Sequence, residues 1–550
     1  MFHKNTICTL FSLFLLSGVL FGCVTAAFAE TDSVAEDSGS AASSVEASAD
    51  KTETKEEITG RITLKDGASE SDSSSVTIEG NCVTVTGAGT YLVNGTLSDG
   101  QIRIDTDKDS KVRLILDGIN VSNSTGAAIY VLSADKLTIQ LSEGSSNSLS
   151  SSGTFEQTDD NKVDAALFSK DDLTLSGSGT LTVSSTRHGI VCKNDLKVKD
   201  GSITVNASEK GISANDSITF DGGTVSIVSG DDAVNCEGDV SVNAGILSLS
   251  TDDDGIHADL TLTISGGTVD VVKSHEGLEA SAILISEGVI GIVSDDDGIN
   301  AAGGADGSGR NDFSGFTGGN PFNETGSSLT ITGGTLNINA QGDGLDANGD
   351  LTVSGGAIYI NGPTNNGNGA LDFTVGSVSG GKVIAAGSSG MAVNFGSGST
   401  QGSILYNFSE TISAGTEVAL KDSSGKALAS FTPEKNYQAV IISCPGIELG
   451  ADYTLQAGTQ SADISMTSLI YGNGNGMGMG GMGRGGFRPG EGSGMPGDFQ
   501  PGGSGEMPDG FPAEPPSGDL PQGGYNHGRS DQGGHGQGGM SFEADPRFNR

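Results

Sequence analysis

A short repeat in the middle of the chain, with a period of about 22 residues, constrains its fold more than any other feature of the sequence. Each copy alternates apolar and polar residues, turns at a glycine-containing pair, and then alternates again. The copies start at Leu173, Leu196, Ile218, Val240, Leu262, Ile283, Leu329 and Leu351, evenly spaced except for a double step after Ile283. Alternation with a period of two, broken by glycine, is typical of two short strands joined by a turn.

A third short strand follows in each copy, as in the segments GIHA and GLEA. Three short strands in about 22 residues are too little for a propeller blade, which needs about 40 residues. They are typical of one coil of a parallel β-helix, in which each strand pairs with its equivalent in the next coil. We therefore predict an all-β fold, a parallel β-helix or solenoid with coils of about 22 residues.

The third strands contain two columns of residues that support this prediction. The first column is large and apolar: Ile190, Ile212, Val234, Ile256, Leu278, Ile299 and Leu345. The second is small: Cys192, Ala214, Cys236, Ala258, Ala280, Ala301 and Ala347. Alternation points both columns into the interior. Cys192 and Cys236 are two coils apart, about 9–10 Å, which is too far for a disulfide bond, so we interpret them as packing residues.

The N-terminus has the pattern of an export signal. Lys4 precedes an apolar run from Leu10 to Leu20, and Ala27-Phe28-Ala29 offers a cleavage site, so residues 1–29 are predicted to be a signal peptide. Cys23 provides an alternative, a lipid anchor at a lipoprotein-like cleavage site. No later run is long enough to span a bilayer, which takes about 18 apolar residues. The sequence therefore predicts a secreted or cell-surface protein.

Composition divides the rest of the chain. Residues 30–57 form an acidic, Ser-rich linker and residues 472–550 a tail rich in Gly, Met and Pro, and we expect both to be disordered. Between them we predict irregular N-terminal coils at 58–172, the regular β-helix at 173–375 with an inserted loop at 302–328, and final coils with a β cap at 376–471.

The charge of the chain limits its partners. There are 28 Lys and Arg residues against 69 Asp and Glu, and the formal net charge is −41. Nucleic acid is excluded, because its phosphates would be repelled. The chain has no Trp and eight Tyr, so stacking of sugars on aromatic rings is not expected to be the main mode of binding.

Acidic residues recur just before the third strand of successive coils. They are expected to stack in columns, where carboxylates about 5 Å apart repel by about 3 kcal/mol at an effective dielectric constant of 20. Protonation or a cation must offset this repulsion, and oxygen ligands in a turn favour Ca²⁺. An isolated Asp-Gly turn needs no metal. The predicted ligands are Asp231, Asp232, Asp252, Asp253, Asp254, Glu276, Glu279, Asp295, Asp296, Asp297, Asp343 and Asp346.

The repeat L-T-[IV]-x-G-G-T-[LV], followed by D-D-G-[IL]-[HND]-A, resembles the bacterial carbohydrate-binding domain-containing family of secreted right-handed β-helices, of clostridial type. The resemblance covers residues 173–375. It implies calcium at the acidic turns and binding of cellulose and pectic acid. The turns at Arg187-His188 and Glu209-Lys210 depart from the pattern, so the resemblance extends no metal site to them.

We expect a non-catalytic, calcium-dependent polysaccharide-binding protein, in which calcium bridges protein carboxylates to the uronate groups of a pectic polymer. A cellulosic polymer is the other candidate. The candidate sugar contacts are His257, Lys273, Phe313, Phe316 and Phe322.

Two other functions stay open on the sequence. A calcium-dependent polysaccharide lyase would need a basic residue beside the metal, for which the candidates are Arg187, Lys193, Lys210 and Lys273. Lys273 is equally well explained as the partner of Asp270 in an exposed ion pair. An adhesin with purely structural calcium is the second alternative.

Overall fold

The computed structural model describes residues 57–302 and 327–472, and these ranges contain strands but no α-helix. Consequently no helix that could cross a membrane occurs in them. The predictions for the signal peptide, Cys23, the acidic linker up to residue 56 and the tail after residue 472 lie outside the described residues. The same holds for most of the inserted loop, including Phe313, Phe316 and Phe322.

The first part of the described chain consists of irregular coils. Its strands are β1 (Gly60–Leu64), β2 (Glu70–Ser71), β3 (Val76–Glu79), β4 (Cys82–Val85), β5 (Gly89–Leu97), β6 (Gln101–Asp105), β7 (Lys111–Asn123), β8 (Ile129–Ser133), β9 (Lys136–Leu141), β10 (Ser146–Ser151) and β11 (Ala165–Ser169). β2 and β3 pair antiparallel with β1 and β4 respectively, whereas the pairs between successive coils, such as β5 with β7, are parallel.

Regular coils follow. Their strands are β12 (Asp172–Gly177), β13 (Thr180–Ser185), β14 (His188–Cys192), β15 (Asp195–Val198), β16 (Ser202–Ala207), β17 (Ile212–Ala214), β18 (Ser217–Val228), β19 (Val234–Cys236), β20 (Asp239–Ser250), β21 (Ile256–Ile264), β22 (Thr268–Ser274), β23 (Leu278–Ile285), β24 (Val289–Ser294), β25 (Ile299–Ala301), β26 (Ser328–Ile331), β27 (Thr335–Ala340), β28 (Leu345–Val353), β29 (Ala357–Asn361) and β30 (Leu371–Val378). In one coil β15, β16 and β17 are the first, second and third strands. In other coils neighbouring strands merge, as in β18.

The strand pairing confirms the predicted parallel β-helix, which has about 12 turns of about 23 residues. The residues that begin the repeats are register partners in sequence order: Leu173 with Leu196, then Ile218, Val240, Leu262, Ile283, Leu329 and Leu351. Ile283 pairs directly with Leu329, so no further coil separates these two strands despite the double step in the sequence. The handedness stays a prediction from the resemblance.

The interior is a continuous column of apolar side chains. The two predicted columns of the third strands pair residue by residue and are buried, with Ile256 and Ala258 both at 0% exposure. Cys192 and Cys236 are buried free thiols with Ala214 between them in the ladder, which confirms their interpretation as packing residues. Because large and small residues alternate across the interior, the coils can pack without voids.

The turn between the first and second strands requires glycine in successive coils. Gly245 and Gly267 have φ angles of +97° and +75°, which residues with a side chain rarely adopt. A Cβ atom on either glycine would also lie 2.8 Å from the carbonyl oxygen of a glycine one coil earlier. This stacking explains the Gly punctuation that marks the repeat in the sequence.

The chain ends in a mixture of coil and antiparallel structure. The last strands are β31 (Lys382–Gly387), β32 (Ser403–Ile412), β33 (Val418–Asp422), β34 (Ala427–Phe431), β35 (Tyr437–Ser443), β36 (Asp452–Ala457), β37 (Gln460–Ser465) and β38 (Ile470–Tyr471). β35 pairs antiparallel with both β31 and β32, and β33, β34, β36 and β37 form a separate antiparallel sheet. This segment supplies partners for strand edges that the last coil would otherwise expose.

Candidate metal centre

The acidic residues lie at the corner between the second and third strands of each coil. At this corner the parallel ladder of backbone hydrogen bonds continues without a break. The N–H of Gly255 donates to the carbonyl of Glu276 (3.0 Å), and the N–H of Gly277 donates to that of Asp297 (3.0 Å). Gly298 likewise donates to Asp343 (2.8 Å). The structure therefore places the acids that precede these glycines in one column, at the spacing of the coils.

A second column lies three residues further on, on the outward side of the third strands. It consists of Asn235, His257, Glu279, Asn300, Asp346 and Asp372, which are register partners in that order. The two columns are adjacent, and together they bury charge. Asp254 is 1% exposed, His257 1% and Glu279 5%. Buried charge of this kind is stable only when it is paired or coordinated.

Three groups at this corner bring ligand atoms within 4.8 Å of one another. We call them the lysine cluster (Asp231, Asp232 and Asp253, with Lys210), the histidine cluster (Asp254, His257 and Glu279) and the aspartate cluster (Asp297, Asp343 and Asp346). They follow one another along the β-helix, and they differ in whether the chain itself provides a positive charge.

In the lysine cluster the cation is a side chain. Lys210 forms ion pairs with Asp231 (3.4 Å) and with Asp232, which is 2% exposed. Asn235 Nδ2 donates a further hydrogen bond to Asp232 Oδ2 (3.1 Å). Lys210 lies 22 residues before Asp232, at the same corner position one coil earlier. The ammonium group therefore occupies the place beside Asp232 that the sequence analysis assigned to calcium.

In the histidine cluster the cation is an imidazolium. His257 Nδ1 donates to Glu279 Oε2 (2.7 Å) and lies 3.4 Å from Asp254 Oδ2, while Nε2 donates to Asp259 Oδ1 (3.1 Å). Burial by itself lowers the pKa of His257, but the carboxylates of Asp254 and Glu279 outweigh burial and raise the pKa to about 11. His257 was predicted as a sugar contact. The structure instead places it inside the protein as a counter-ion, where a polymer cannot reach it.

Glu276 and Asn300 lie between the histidine and aspartate clusters. Asn300 Nδ2 donates to Glu276 Oε2 (2.9 Å). Burial, together with the charges of Asp254 and Glu279, raises the pKa of Glu276 to about 9. Two buried oxygens in this region, Asp254 Oδ1 and Asn300 Oδ1, have no hydrogen-bond partner among the described residues. Unsatisfied buried oxygens are costly, and they are available to a cation.

The aspartate cluster is organised by the backbone. The N–H of Asp343 donates to Asp297 Oδ1 (2.6 Å), and the N–H of Gly369 donates to Asp343 Oδ1 (2.5 Å). Asp372 is the register partner of Asp346 in the next coil, so a fourth carboxylate is adjacent. Burial is the largest cause, and neighbouring acids the next, of the raised pKa values of Asp343 (about 7) and Asp346 (about 8). Burial likewise raises the pKa of Asp297 to about 6.

No ion pair within residues 57–302 and 327–472 neutralises Asp297, Asp343 or Asp346. The neighbouring His275 pairs instead with Asp296, with Nδ1 4.0 Å from Oδ2. Calcium takes six to eight oxygen ligands at about 2.3–2.6 Å, so two ligands on opposite sides of the ion are about 5 Å apart. Carboxylate oxygens within 4.8 Å of one another fit this geometry. Of the three clusters, the aspartate cluster is therefore the best candidate to hold a calcium ion.

Because residue 342 is glycine, the carboxylates of Asp296 and Asp297 can lie where a Cβ atom would otherwise be. A Cβ atom there would lie 2.2 Å from Asp297 Oδ1 and 2.3 Å from Asp296 Oδ1. The main chain of Gly342 is fixed by a hydrogen bond from its N–H to the carbonyl of Asp296 (2.9 Å). Any larger residue would push the two carboxylates away from this position.

The remaining predicted residues lie at the edge of the column. Asp252 and Asp295 are exposed, and Asp252 pairs with Lys273. The predicted pair of Lys273 with Asp270 is therefore wrong. The reason is a bulge in β22, which brings Lys273 into register with Ser250, close in sequence to Asp252.

The sequence analysis missed the roles of Lys210, His257, Asn300 and Gly342. A signal was present for the first two, because Lys210 precedes Asp232 and His257 precedes Glu279 by one period of 22 residues. A basic residue one period from an acid indicates an ion pair between coils. The position of Gly342 could not be read in this way, since its neighbour Asp297 lies across the inserted loop.

Comparison with known proteins shows a family to which part of the chain is similar. Residues 79–321 match the family model described as "Carbohydrate-binding domain-containing protein". This part of the chain is similar to that family. A relative of the same name from Acetivibrio thermocellus is 43% identical over 128 residues, which are 23% of this chain and 45% of the relative. The chain thus spans less than half the length of that curated relative. The resemblance predicted from the repeat is confirmed.

A solved structure is also similar in sequence. It is titled as the polysaccharide lyase-like protein from C. thermocellum, in a gadolinium derivative. It is 32% identical and the match covers 42% of this chain and 96% of that chain, with a TM-score of 0.38. The matched residues 79–321 contain the lysine and histidine clusters and Asp297, whereas Asp343 and Asp346 lie beyond their end.

Proposed function

We propose that this chain is an extracellular, calcium-dependent polysaccharide-binding protein, and that its calcium is held by the aspartate cluster. One observation carries the proposal: Asp297, Asp343 and Asp346 converge within 4.8 Å, and the nearby His275 forms its ion pair with Asp296 rather than with any of these three. In the two preceding clusters the chain supplies Lys210 and His257 for the same purpose. The contrast supports one metal-dependent corner next to two that are neutralised internally.

Electrostatics supports a bound cation. Two carboxylates about 4.8 Å apart repel by about 3 kcal/mol at an effective dielectric constant of 20. Protonation can relieve this repulsion, as the raised pKa values indicate, but a divalent ion relieves it for all three groups at once. The ligands are oxygen atoms only, which favours calcium over zinc, because zinc sites are built mainly from His and Cys.

The polysaccharide follows from the family and from charge. The family is named for carbohydrate binding. A net charge of −41 would repel an acidic polymer, but a calcium ion at the corner reverses the local sign and can share its open coordination positions with a uronate group. We therefore propose a pectic, polygalacturonate-type polymer as the ligand of the corner.

We also propose that the protein binds its polysaccharide without cleaving it, because its basic residues have other partners. Each candidate base for a lyase is engaged elsewhere. Arg187 pairs with Glu209 (3.1 Å), Lys210 with Asp232 and Lys273 with Asp252. Lys193 lies with Nζ 6.0 Å from the centre of the Phe168 ring.

Titration calorimetry with calcium and then with polygalacturonate tests the proposal. Asp343→Asn with Asp346→Asn is expected to abolish calcium binding and with it the binding of polygalacturonate. Asp350→Asn, a change to an exposed acid on the same strand, is the matched control and is expected to leave both intact. Equal polymer binding in calcium and in chelator would refute the bridge. An ultraviolet-absorbing unsaturated product would show a lyase instead.

A further inference from the structure

Lys210 and Asp232 bring an amine and a carboxyl group into contact inside the lysine cluster. The structure shows them as an ion pair between Lys210 Nζ and Asp232 Oδ2. An amine and a carboxylic acid can also condense to an amide with release of one water molecule, and between two side chains the product is an isopeptide bond. A lysine is a weak nucleophile while it is protonated and solvated, and desolvation activates it.

The surroundings of this pair exclude most of the solvent. The side chain of Asp232 is 3% exposed and that of Lys210 is 21% exposed. Two full charges are costly at such a position, so burial favours transfer of a proton from the ammonium group to a carboxylate. The resulting neutral amine and neutral acid are the forms that react with each other. Condensation then removes both charges from the buried corner.

Exposed lysine pairs of the same protein provide a contrast. Lys197 lies 3.2 Å from Asp221, and both side chains are more than a third exposed. Lys273 and Asp252 are both more than half exposed. Water solvates the charges of these two pairs, so their lysines stay protonated. Burial of the carboxyl group therefore distinguishes the pair in the lysine cluster from these two.

The backbone holds the two reacting groups against each other. Lys210 and Asp232 occupy the same corner position in successive coils, 22 residues apart. Directly after them, Ile212 of β17 is the register partner of Val234 in β19. The N–H of Gly211 also donates to the main-chain carbonyl of Asp232 (2.9 Å). Because the sheet fixes both main chains, the reaction needs no encounter between freely moving groups.

Hydrogen-bond donors polarise the carboxyl group of Asp232. The N–H of Asp254 donates to Oδ1 (3.3 Å), and Asn235 Nδ2 donates to Oδ2 (3.1 Å). The donor on Oδ1 is a backbone group of the sheet, so it stays in place while negative charge develops on this oxygen during attack on the carboxyl carbon. Fixed donors of this kind make a large contribution to the catalysis of acyl transfer.

Asp231 lies where a proton carrier is needed. Its Oδ1 is 3.4 Å from Lys210 Nζ and also accepts the N–H of Asp232 (2.8 Å), which fixes the orientation of the carboxylate. Its side chain is 38% exposed and can exchange protons with the solvent. Asp231 therefore has the position of a general base toward the amine of Lys210.

We propose that Lys210 and Asp232 condense to an intramolecular isopeptide bond, with Asp231 as the proton carrier. Lys210 gives one proton to Asp232 Oδ2, and its nitrogen attacks Cγ while the electron pair of the C=O bond moves to Oδ1. Asp231 takes a second proton from the nitrogen and delivers it to Oδ2. The bond between Cγ and Oδ2 breaks, this oxygen leaves as water, and the pair on Oδ1 re-forms the carbonyl. One ammonium and one carboxylate thus give one amide and one water, and no oxidant is needed.

The bond joins two successive coils of the β-helix covalently. It closes a loop of 22 residues and limits the unfolded chain in the way that a disulfide bond does. The four cysteines of the described residues are free thiols, so no disulfide has this role there. The cross-link goes beyond the proposed polysaccharide site, and it forms whether or not calcium binds at the aspartate cluster.

Mass spectrometry of a tryptic digest of the denatured parent chain tests the proposal. Trypsin normally cuts after Lys210 and separates residues 200–210 from residues 211–273. A lysine whose nitrogen is part of an amide is not cut. The parent chain is therefore expected to give a single piece, residues 200–273, lighter than its sequence by the mass of one water molecule.

Variants test the residues that take part. Lys210→Arg cannot form the bond, so it is expected to restore the cut after residue 210 and the full mass. Asp231→Asn is expected to lower the cross-linked fraction at least about tenfold, and Asp231→Glu, which keeps a carboxylate, to restore it. Lys197→Arg and Asp221→Asn make the same changes in an exposed pair, and both are expected to keep the cross-link.

Complete cleavage after Lys210 in the parent chain would overturn the proposal, and this measurement does not depend on the folding of any variant. Asp-Gly sequences such as Asp254-Gly255 can also lose water by forming a succinimide, which mild alkali reopens. A loss of water that alkali reverses, with the cut after Lys210 intact, would likewise overturn the cross-link. Thermal melting checks that the Asp231 variants are folded, and a full cross-link in folded Asp231→Asn would refute the role of Asp231.

Discussion

His257 donates a hydrogen bond from Nδ1 to Oε2 of Glu279, 2.7 Å away and one coil further along the β-helix. Both side chains lie outside the apolar interior, yet they are only 1% and 5% exposed. The pair therefore joins two coils by a buried charge contact at the corner where the sequence predicted a metal ion. At this corner the side chain of His257 takes the place of the predicted metal ion.

We predict that His257→Ala destabilises the protein strongly. The substitution removes the imidazolium that pairs with the buried carboxylates of Asp254 and Glu279, and removal of one partner of a buried pair costs about 3–5 kcal/mol. Urea unfolding of the two proteins in chelator at pH 7 measures the difference. His188→Ala is the control, because His188 is only partly buried at an earlier corner. A loss below about 1 kcal/mol for His257→Ala would contradict the assignment, since that is the cost expected of an exposed pair.

We predict a similar contrast between two lysines. Lys210→Met removes the cation beside Asp232, which is 2% exposed, and is expected to cost about 3 kcal/mol. Lys273→Met breaks an ion pair in which both side chains are more than half exposed, and is expected to cost less than about 1 kcal/mol. Urea unfolding in chelator, in low and then high salt, measures both. Equal losses for the two variants would show that burial at the corner does not determine the strength of these pairs.

How far the sequence predicted the structure depends on the kind of contact. The strand register was predictable to the residue, because Leu173, Leu196 and their equivalents repeat with one period and a parallel coil must stack them. The two inner columns at Ile256 and Ala258 follow from alternation alone.

It was harder to predict which of the acidic residues pair with a basic side chain and which are left for a metal ion. Lys210 and Asp232 are one period apart, but the sequence does not show which way a long side chain turns. The link between Asp297 and Asp343 depends on the inserted loop, whose residues interrupt the period. The pair of Lys273 with Asp252 depends on a bulge in β22, and the strand ends too soon after this bulge for the shifted alternation to be recognised in the sequence.

We predict that Gly342→Ala weakens calcium binding about tenfold or more. The new Cβ atom would lie 2.2 Å from Asp297 Oδ1, so this carboxylate must move away from Asp343 and Asp346. Calorimetric titration with calcium measures the affinity. Gly398→Ala is the control, because a Cβ atom there meets nothing within 4 Å. Unchanged calcium affinity in Gly342→Ala would place the metal at a different corner.

We predict that without calcium the protein becomes less stable as the pH rises from about 4 to 8. The pKa values of Asp297, Asp343 and Asp346 are raised in the folded protein to about 6, 7 and 8, mainly by burial. Between the unfolded value near 4 and these values, the folded protein binds more protons than the unfolded chain. The free energy of unfolding therefore falls as pH rises through this interval, and the stabilisation is complete only below it.

Calcium should reverse this trend, because the ion replaces the protons and binds the folded protein only. The difference in melting temperature between calcium and chelator is therefore expected to be small at pH 5 and largest near pH 8. Asp343→Asn with Asp346→Asn removes two of the titrating groups, so its melting temperature should vary less with pH and respond little to calcium. If the melting temperature of the parent protein in chelator is the same at pH 5 and pH 8, burial does not raise the pKa values of these carboxyls. The electrostatic reason for a metal ion at this corner would then be lost.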